Sequence, residues 1–295
     1  MKSHFLTGLL ACLSAPLFSP LVAAPRDDPA PPAAVTPAEW LRAQPKPKFR
    51  AGHTLPRLTR FAWDMDDGVR VALAEDWGYA LEFGVADVER VDRAINDPTS
   101  REGKLLALAI SDGGRPLSYN WLSAGWEGEK GHSHGDIARW TGFLKCYYTA
   151  GMIGGNAGYY QYLGRDGFSK PFAPGQPPHW LRQITALAHV HATFSHLEDF
   201  LRNGDLLPGP DKHRISKDSP AFEFPTGDKN VRVLARKHRQ RAEWLVTAWV
   251  AEGDAREVTV TIPDLGEIKL QARPDGAVYL ASLKDGQLSL TQIDF

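Results

Sequence analysis

Cysteine is nearly missing from this sequence. Only Cys12 and Cys146 occur, and Cys12 falls in an expected export segment, so the mature chain has no pair for an internal disulfide. No Cys-x-x-Cys pattern exists, which excludes a thiolate zinc site. Cys146 sits in an apolar helical pattern, where a buried, inert thiol is the plain reading. An excess of one charge is missing too. The chain has 34 Lys and Arg against 35 Asp and Glu, a formal net charge of −1, so the basic footprint of a nucleic-acid binder is absent. No apolar run is long and unbroken enough for a membrane span. Aromatics, by contrast, are plentiful: nine Trp, eight Tyr and thirteen Phe. Exposed rings stack on sugar faces, while core filling is the plainer use of them.

Residues 1–24 read as a signal peptide. Lys2 supplies the charge, Phe5 to Leu21 an apolar region interrupted by Pro16 and Pro20, and Leu21-Val22-Ala23-Ala24 the small-residue cleavage site. A secreted or periplasmic location follows. Leu9-Leu10-Ala11-Cys12 loosely matches a lipoprotein box, but apolar sequence continues past it, which ranks lipid anchoring second. Residues 25–48 are a Pro- and Ala-rich linker, expected as an extended tether. Within it, Thr36-Pro37-Ala38-Glu39 can start a short helix through Leu41.

The stretch Tyr119 to Tyr162 organises the rest. A short apolar run, Tyr119 to Ala124, breaks at Gly125 into an acidic loop carrying Glu127, Glu129, His132, His134 and Asp136. A helical pattern follows from Ile137 to Tyr148, with Asp136 at the N-cap position. A second apolar run, Ala150 to Ile153, leads into Gly154-Gly155-Asn156-Ala157-Gly158. Strand, loop, helix, strand is the βα unit of a parallel α/β protein, whose chemistry sits on loops after the strands' carboxyl ends. Upstream, Leu58–Trp63 and Tyr79–Phe83 read as strands and Val69–Trp77 as a helix. Downstream, Trp180 to Asn203 is one long amphipathic helix stopped by Gly204. Its His189, His191 and His196 read as hydrogen-bonded helical histidines rather than as ligands.

From Asn230 the hydrophobic period changes from 3.6 to 2. Six runs, Val231–Ala235, Trp244–Val250, Glu257–Ile262, Ile268–Leu270, Ala277–Leu280 and Leu288–Thr291, predict a small antiparallel β-sandwich over residues 214–295. The boundary with the preceding part, residues 49–213, falls between Pro208 and Pro220. Arg236 to Arg241 reads as a charged hairpin turn.

An export segment, β-then-α units, a long helix and a terminal β-sandwich together resemble a secreted (β/α)8-barrel glycoside hydrolase. Trp121-Leu122-Ser123-Ala124-Gly125-Trp126-Glu127 is similar to the penultimate strand of such a barrel with its loop, and Phe61-Ala62-Trp63-Asp64 to the first. The fold class implied is α/β, a shortened (β/α)-barrel-like domain followed by the sandwich. A whole barrel needs roughly 250 residues, so middle strands are missing. The parallel sheet edge left open would be covered by a partner chain, or the sheet closes differently, or the product is impaired.

Glycoside cleavage needs two carboxyl groups across the scissile bond, about 5 Å apart for retention and roughly 6.5–9.5 Å for inversion. The resemblance implies Glu127 as nucleophile, with Glu129 its understudy. Nothing matches the Asn-Glu pair such enzymes carry after the fourth strand, so Asp64 or Glu82 would have to serve as acid. His132 and His134 are candidates for hydrogen bonding to substrate, ahead of a metal role. Asn156 would donate to a hydroxyl, and Trp63, Trp126 and Tyr159 would be stacking platforms. The expected ligand is an oligo- or polysaccharide, with no cofactor, no metal and no nucleic acid. The rivals are a noncatalytic carbohydrate-binding or scaffold protein that has lost the acid, and a nonfunctional fragment of a larger hydrolase.

Overall fold

The computed structural model of this chain describes residues 33–53, 55, 67–79, 118–119, 136–153, 169–207 and 224–293. They form a mixed α/β protein with a C-terminal antiparallel sheet. Its strands are β3 (Gly204–Leu206), β4 (Val231–His238), β5 (Glu243–Val250), β6 (Arg256–Ile262), β7 (Gly266–Ala272), β8 (Ala277–Lys284) and β9 (Gln287–Ile293). Strands β4 to β9 fall on the six runs of period two and extend each of them. Five strands join in the order β3-β4-β5-β8-β9, every neighbouring pair antiparallel, while β6 and β7 form a separate hairpin.

Strand β5 shows why this sheet is a middle layer. Trp244, Val246, Ala248 and Val250 are buried against the β6–β7 hairpin, whose Val258, Val260, Ile268 and Leu270 belong to the same cluster. The alternate residues Leu245 and Trp249 are buried in a second cluster, shared with the helices. Side chains on a strand point to opposite faces in turn, so β5 is covered on both. Full burial of each large apolar side chain contributes roughly 1.5–3 kcal/mol. This strand therefore ties two cores together.

The helices are α1 (Pro37–Ala43), α2 (Asp67–Val71, running into a π-helical turn Ala72–Asp76), α3 (Ile137–Thr149), α4 (His179–His196) and α5 (Glu198–Asn203). Helix α3 begins at Asp136, whose carboxylate accepts from the Arg139 amide at 3.1 Å. Trp140, Leu144, Tyr147 and Tyr148 are fully buried along one stripe. The helix lies close against the sheet. A Cβ added at Gly142 would stand 2.5 Å from the Pro274 carbonyl oxygen and 2.6 Å from Trp249 Nε1. Thr149 and Thr247 share a hydroxyl hydrogen bond of 2.6 Å across the same contact. This shared core runs across the boundary expected between Pro208 and Pro220.

Three local expectations change. The single helix expected over Trp180–Asn203 is broken at Leu197. There the Ser195 carbonyl accepts from Arg50 Nε at 2.8 Å, a bond that a continuous helix would have given to a backbone amide four residues on. Gly204 does end the helix, but in an extended conformation with φ −116° rather than a left-handed cap. A Cβ there would meet the Phe200 carbonyl oxygen at 2.5 Å. Arg236, read as part of a charged hairpin turn, lies in β4 and is fully buried.

Inside the stretch expected to be a tether, α1 is ordered by a capping box between Thr36 and Glu39, and its Leu41 is fully buried. Among the described residues no helix is long and apolar enough to cross a membrane.

Candidate functional site

The ten candidates read from the sequence, Trp63, Asp64, Glu82, Trp126, Glu127, Glu129, His132, His134, Asn156 and Tyr159, all lie outside the described residues. What is described is the frame that flanks two of their segments. Strand β1 (Ser118–Tyr119) pairs in parallel with β2 (Met152–Ile153), Ser118 opposite Met152 and Tyr119 opposite Ile153. Helix α3 lies between them in the chain, the crossover that a parallel pair requires. Both strands run the same way, so the chain leaves Tyr119 and Ile153 from one end of the pair. The first exit leads in sequence to Trp126–His134, the second to Asn156 and Tyr159.

The far end of the first segment is anchored as well. Arg139, in the first turn of α3, pairs through Nε with Asp136 at 3.0 Å. Its Nη2 donates to the Gly253 carbonyl at 3.0 Å and its Nη1 to that of Val250 at 3.4 Å. One arginine thus pins the start of α3 to the turn after β5.

A second concentration of polar groups lies on α4. His191 is fully buried among rings: its centroid stands 5.7 Å from Tyr79, 5.9 Å from Tyr148, 6.1 Å from Phe49 and 6.3 Å from His53. Its Nε2 faces the Leu55 carbonyl at 3.4 Å and its Nδ1 the Tyr148 hydroxyl at 3.2 Å. A carbonyl only accepts, so Nε2 carries a proton and a neutral ring accepts from Tyr148. His196 Nε2 donates to the Lys48 carbonyl at 2.8 Å. His189 meets the Pro45 carbonyl and packs edge-on against Trp77; burial holds it below the ordinary histidine range, and the Pro45 bond partly opposes that. The expectation of hydrogen-bonded helical histidines holds for all three. Their acceptors lie on a single segment, which the spacing along α4 did not reveal.

Arg236 was missed, although a signal existed. In β4, Leu234 faces the helices while Val233 and Ala235 face the hairpin; period two puts Arg236 on the helix side. Its guanidinium donates to the carbonyls of Phe200, Leu201 and Gly204 at the end of α5, and to Thr149 at the end of α3. Helix ends leave such carbonyls unpaired, and a cation suits their negative pole. Burial lowers the guanidinium pKa to about 10, with Asp205 opposing, so it stays charged at neutral pH.

Near it, Asp199 faces His238 Nε2 at 3.3 Å and accepts from Arg241 at 2.6 Å. Hydrogen bonds from Asn203 and then Arg241 hold the Asp199 carboxyl below its usual range. These groups join α5 to the β4–β5 hairpin. The described tryptophans play the plainer part: Trp77, Trp140, Trp180, Trp244 and Trp249 are buried, and Trp40 packs edge-on against Phe172.

No protein-family model matches this chain, and no curated protein matches it.

Proposed function

We propose that this chain is an exported, carbohydrate-active protein related to (β/α)8 glycoside hydrolases, with a shortened barrel-like part and a small terminal β-sandwich. The observation that carries the reading is the parallel register of Ser118–Tyr119 with Met152–Ile153, joined through α3. Such a pair is the repeating unit of α/β proteins, which bind ligands at loops following the strands' carboxyl ends. The chain continues from those ends into Glu127, Glu129, His132 and His134 on one side and Asn156 and Tyr159 on the other.

In this reading Glu127 attacks the sugar and Glu129 stands beside it. Asp64 or Glu82 protonates the leaving oxygen, and Trp63, Trp126 and Tyr159 stack on sugar rings. The second reading, a noncatalytic carbohydrate-binding or scaffold protein, is favoured by the missing Asn-Glu pair in the sequence. Glycan-array binding and hydrolysis assays on wild type and Glu127→Gln separate the two. The leading reading expects binding by both forms and turnover by wild type alone. Binding without turnover in either form removes the enzyme; turnover unaffected by the substitution removes Glu127 from its role. Neither binding nor turnover removes both.

A further inference from the structure

Residues 44–53 and Leu55 lie along α4, and the contact differs from the rest of the core. It is made largely by side chains of α4 reaching backbone carbonyls. His189, His196 and His191 meet the carbonyls of Pro45, Lys48 and Leu55 in turn. Arg50 adds three bonds, from its amide to Ser195 Oγ at 2.9 Å, from Nε to the Ser195 carbonyl, and from Nη2 to Glu198. Phe49 stacks on Tyr79 and His53, with centroids at 5.7 and 5.5 Å, and covers His191.

We propose that residues 44–53, with Leu55, form a strap latched to α4 by these histidines, and that acid releases it while the sheet stays folded. The latched strap keeps His191 away from water with both ring nitrogens engaged, one by a carbonyl and one by a hydroxyl. A further proton on Nδ1 would reverse the bond with Tyr148, whose oxygen would then have to accept, and would place a charge among rings. Lifting the strap uncovers His191 and His189, which then take up protons as they do in water. Asp76, the neighbour in sequence of the Trp77 that packs on His189, is paired with Arg42 and Lys46. Beyond His196, Glu198 is held between Arg50 and Arg202. The described partners of His191 include the Leu55 carbonyl, the Tyr148 hydroxyl and the rings of Phe49, His53 and Tyr79.

The direction follows from linkage. A histidine whose latched pKa is depressed binds fewer protons latched than free. Its stabilisation of the strap is therefore complete above the ordinary histidine range, about 6.5, and is lost as pH falls below it. The depressed His189 supports this sign.

Hydrogen exchange of the full chain, read by mass spectrometry from about pH 7.5 to about pH 5 and corrected for intrinsic exchange rates, tests the proposal. Protection of residues 44–53 is expected to be lost with acid while that of Glu243–Val250 persists. His189→Gln, which keeps an amide donor for Pro45, should shift the transition to lower pH, and the double variant with His191→Gln should flatten it. Strap protection that is unchanged by pH, or that is lost together with the sheet's, overturns the proposal. So does a transition unchanged in the double variant. Should the variants fail to fold, the wild-type series decides alone.

Discussion

The C-terminal sheet and the strap on α4 are held by different forces. In the sheet, each backbone ladder continues across several residues, and β5 is covered by apolar side chains on both faces. Across the strap, backbone carbonyls accept from imidazoles and a guanidinium, and a backbone amide donates to a hydroxyl. Hydrophobic contacts and backbone ladders do not titrate in the neutral range, whereas imidazoles do. The sheet should therefore be a stable platform across pH, and the strap the part whose attachment depends on conditions.

The largest test of this contrast is Arg236, which belongs to the sheet by sequence but is bonded like the strap. Carbonyls at the ends of α3 and α5 accept from its guanidinium. Arg236→Ala removes these charge-assisted bonds and leaves buried carbonyls unsatisfied, a loss of about 4 kcal/mol. Arg236→Lys should recover little, because one ammonium cannot match a planar fork with several donors. Urea denaturation followed by tryptophan fluorescence measures both. A loss under about 1 kcal/mol would show that water replaces the guanidinium, and that α3 and α5 do not depend on the sheet for their ends.

A smaller loss is expected where α3 meets the β7–β8 turn. Gly142→Ala places a methyl group within 2.5 Å of the Pro274 carbonyl. Helix propensity alone would favour alanine by roughly 0.5–1 kcal/mol. Overpacking against backbone costs about 1–3 kcal/mol, so the net effect should be destabilising by about 1–2 kcal/mol. A stabilised Gly142→Ala protein in the same denaturation experiment would mean that helix and sheet slide apart easily, and that their shared core is loose.

Much of the sheet was legible because its signal is local. Period-two alternation with turn residues between marks β4 to β9, and the apolar stripes mark α3 and α4. What was not legible depends on distant partners. At the break near Leu197 the freed Ser195 carbonyl is taken by Arg50, 145 residues away in the chain. The burial of Arg236 was written in the alternation of β4, but the basic composition of residues 236–241 pointed to solvent. For the candidate site, the strand runs read at Tyr119–Ala124 and Ala150–Ile153 meet the described pair at Tyr119 and at Met152–Ile153. The carboxylates and tryptophans themselves were chosen by their place after those runs and lie outside the described residues.

The smallest effect concerns α1, which leads into the strap. Thr36 Oγ1 accepts from the Glu39 amide at 3.3 Å, and the Glu39 carboxylate accepts from the Thr36 amide at 2.8 Å. Thr36→Ala removes the cap and should destabilise by about 1 kcal/mol. In a uniform fold that loss would be shared by every slowly exchanging amide. If strap and sheet are as different as their bonding, exchange should quicken in residues 37–53 and stay unchanged in β4 and β5. Acid should act on the same cap. Hydrogen bonds from Thr36, the backbone amide first, hold the Glu39 carboxyl below its usual 4.5. A lowered folded pKa means stability present above that value and lost as pH falls through the folded one. The α1 cap therefore fails well below the range in which the histidines release the strap. Two separate acid steps in the exchange of residues 37–53, the histidine step first, would place both within one peripheral layer that the sheet does not share.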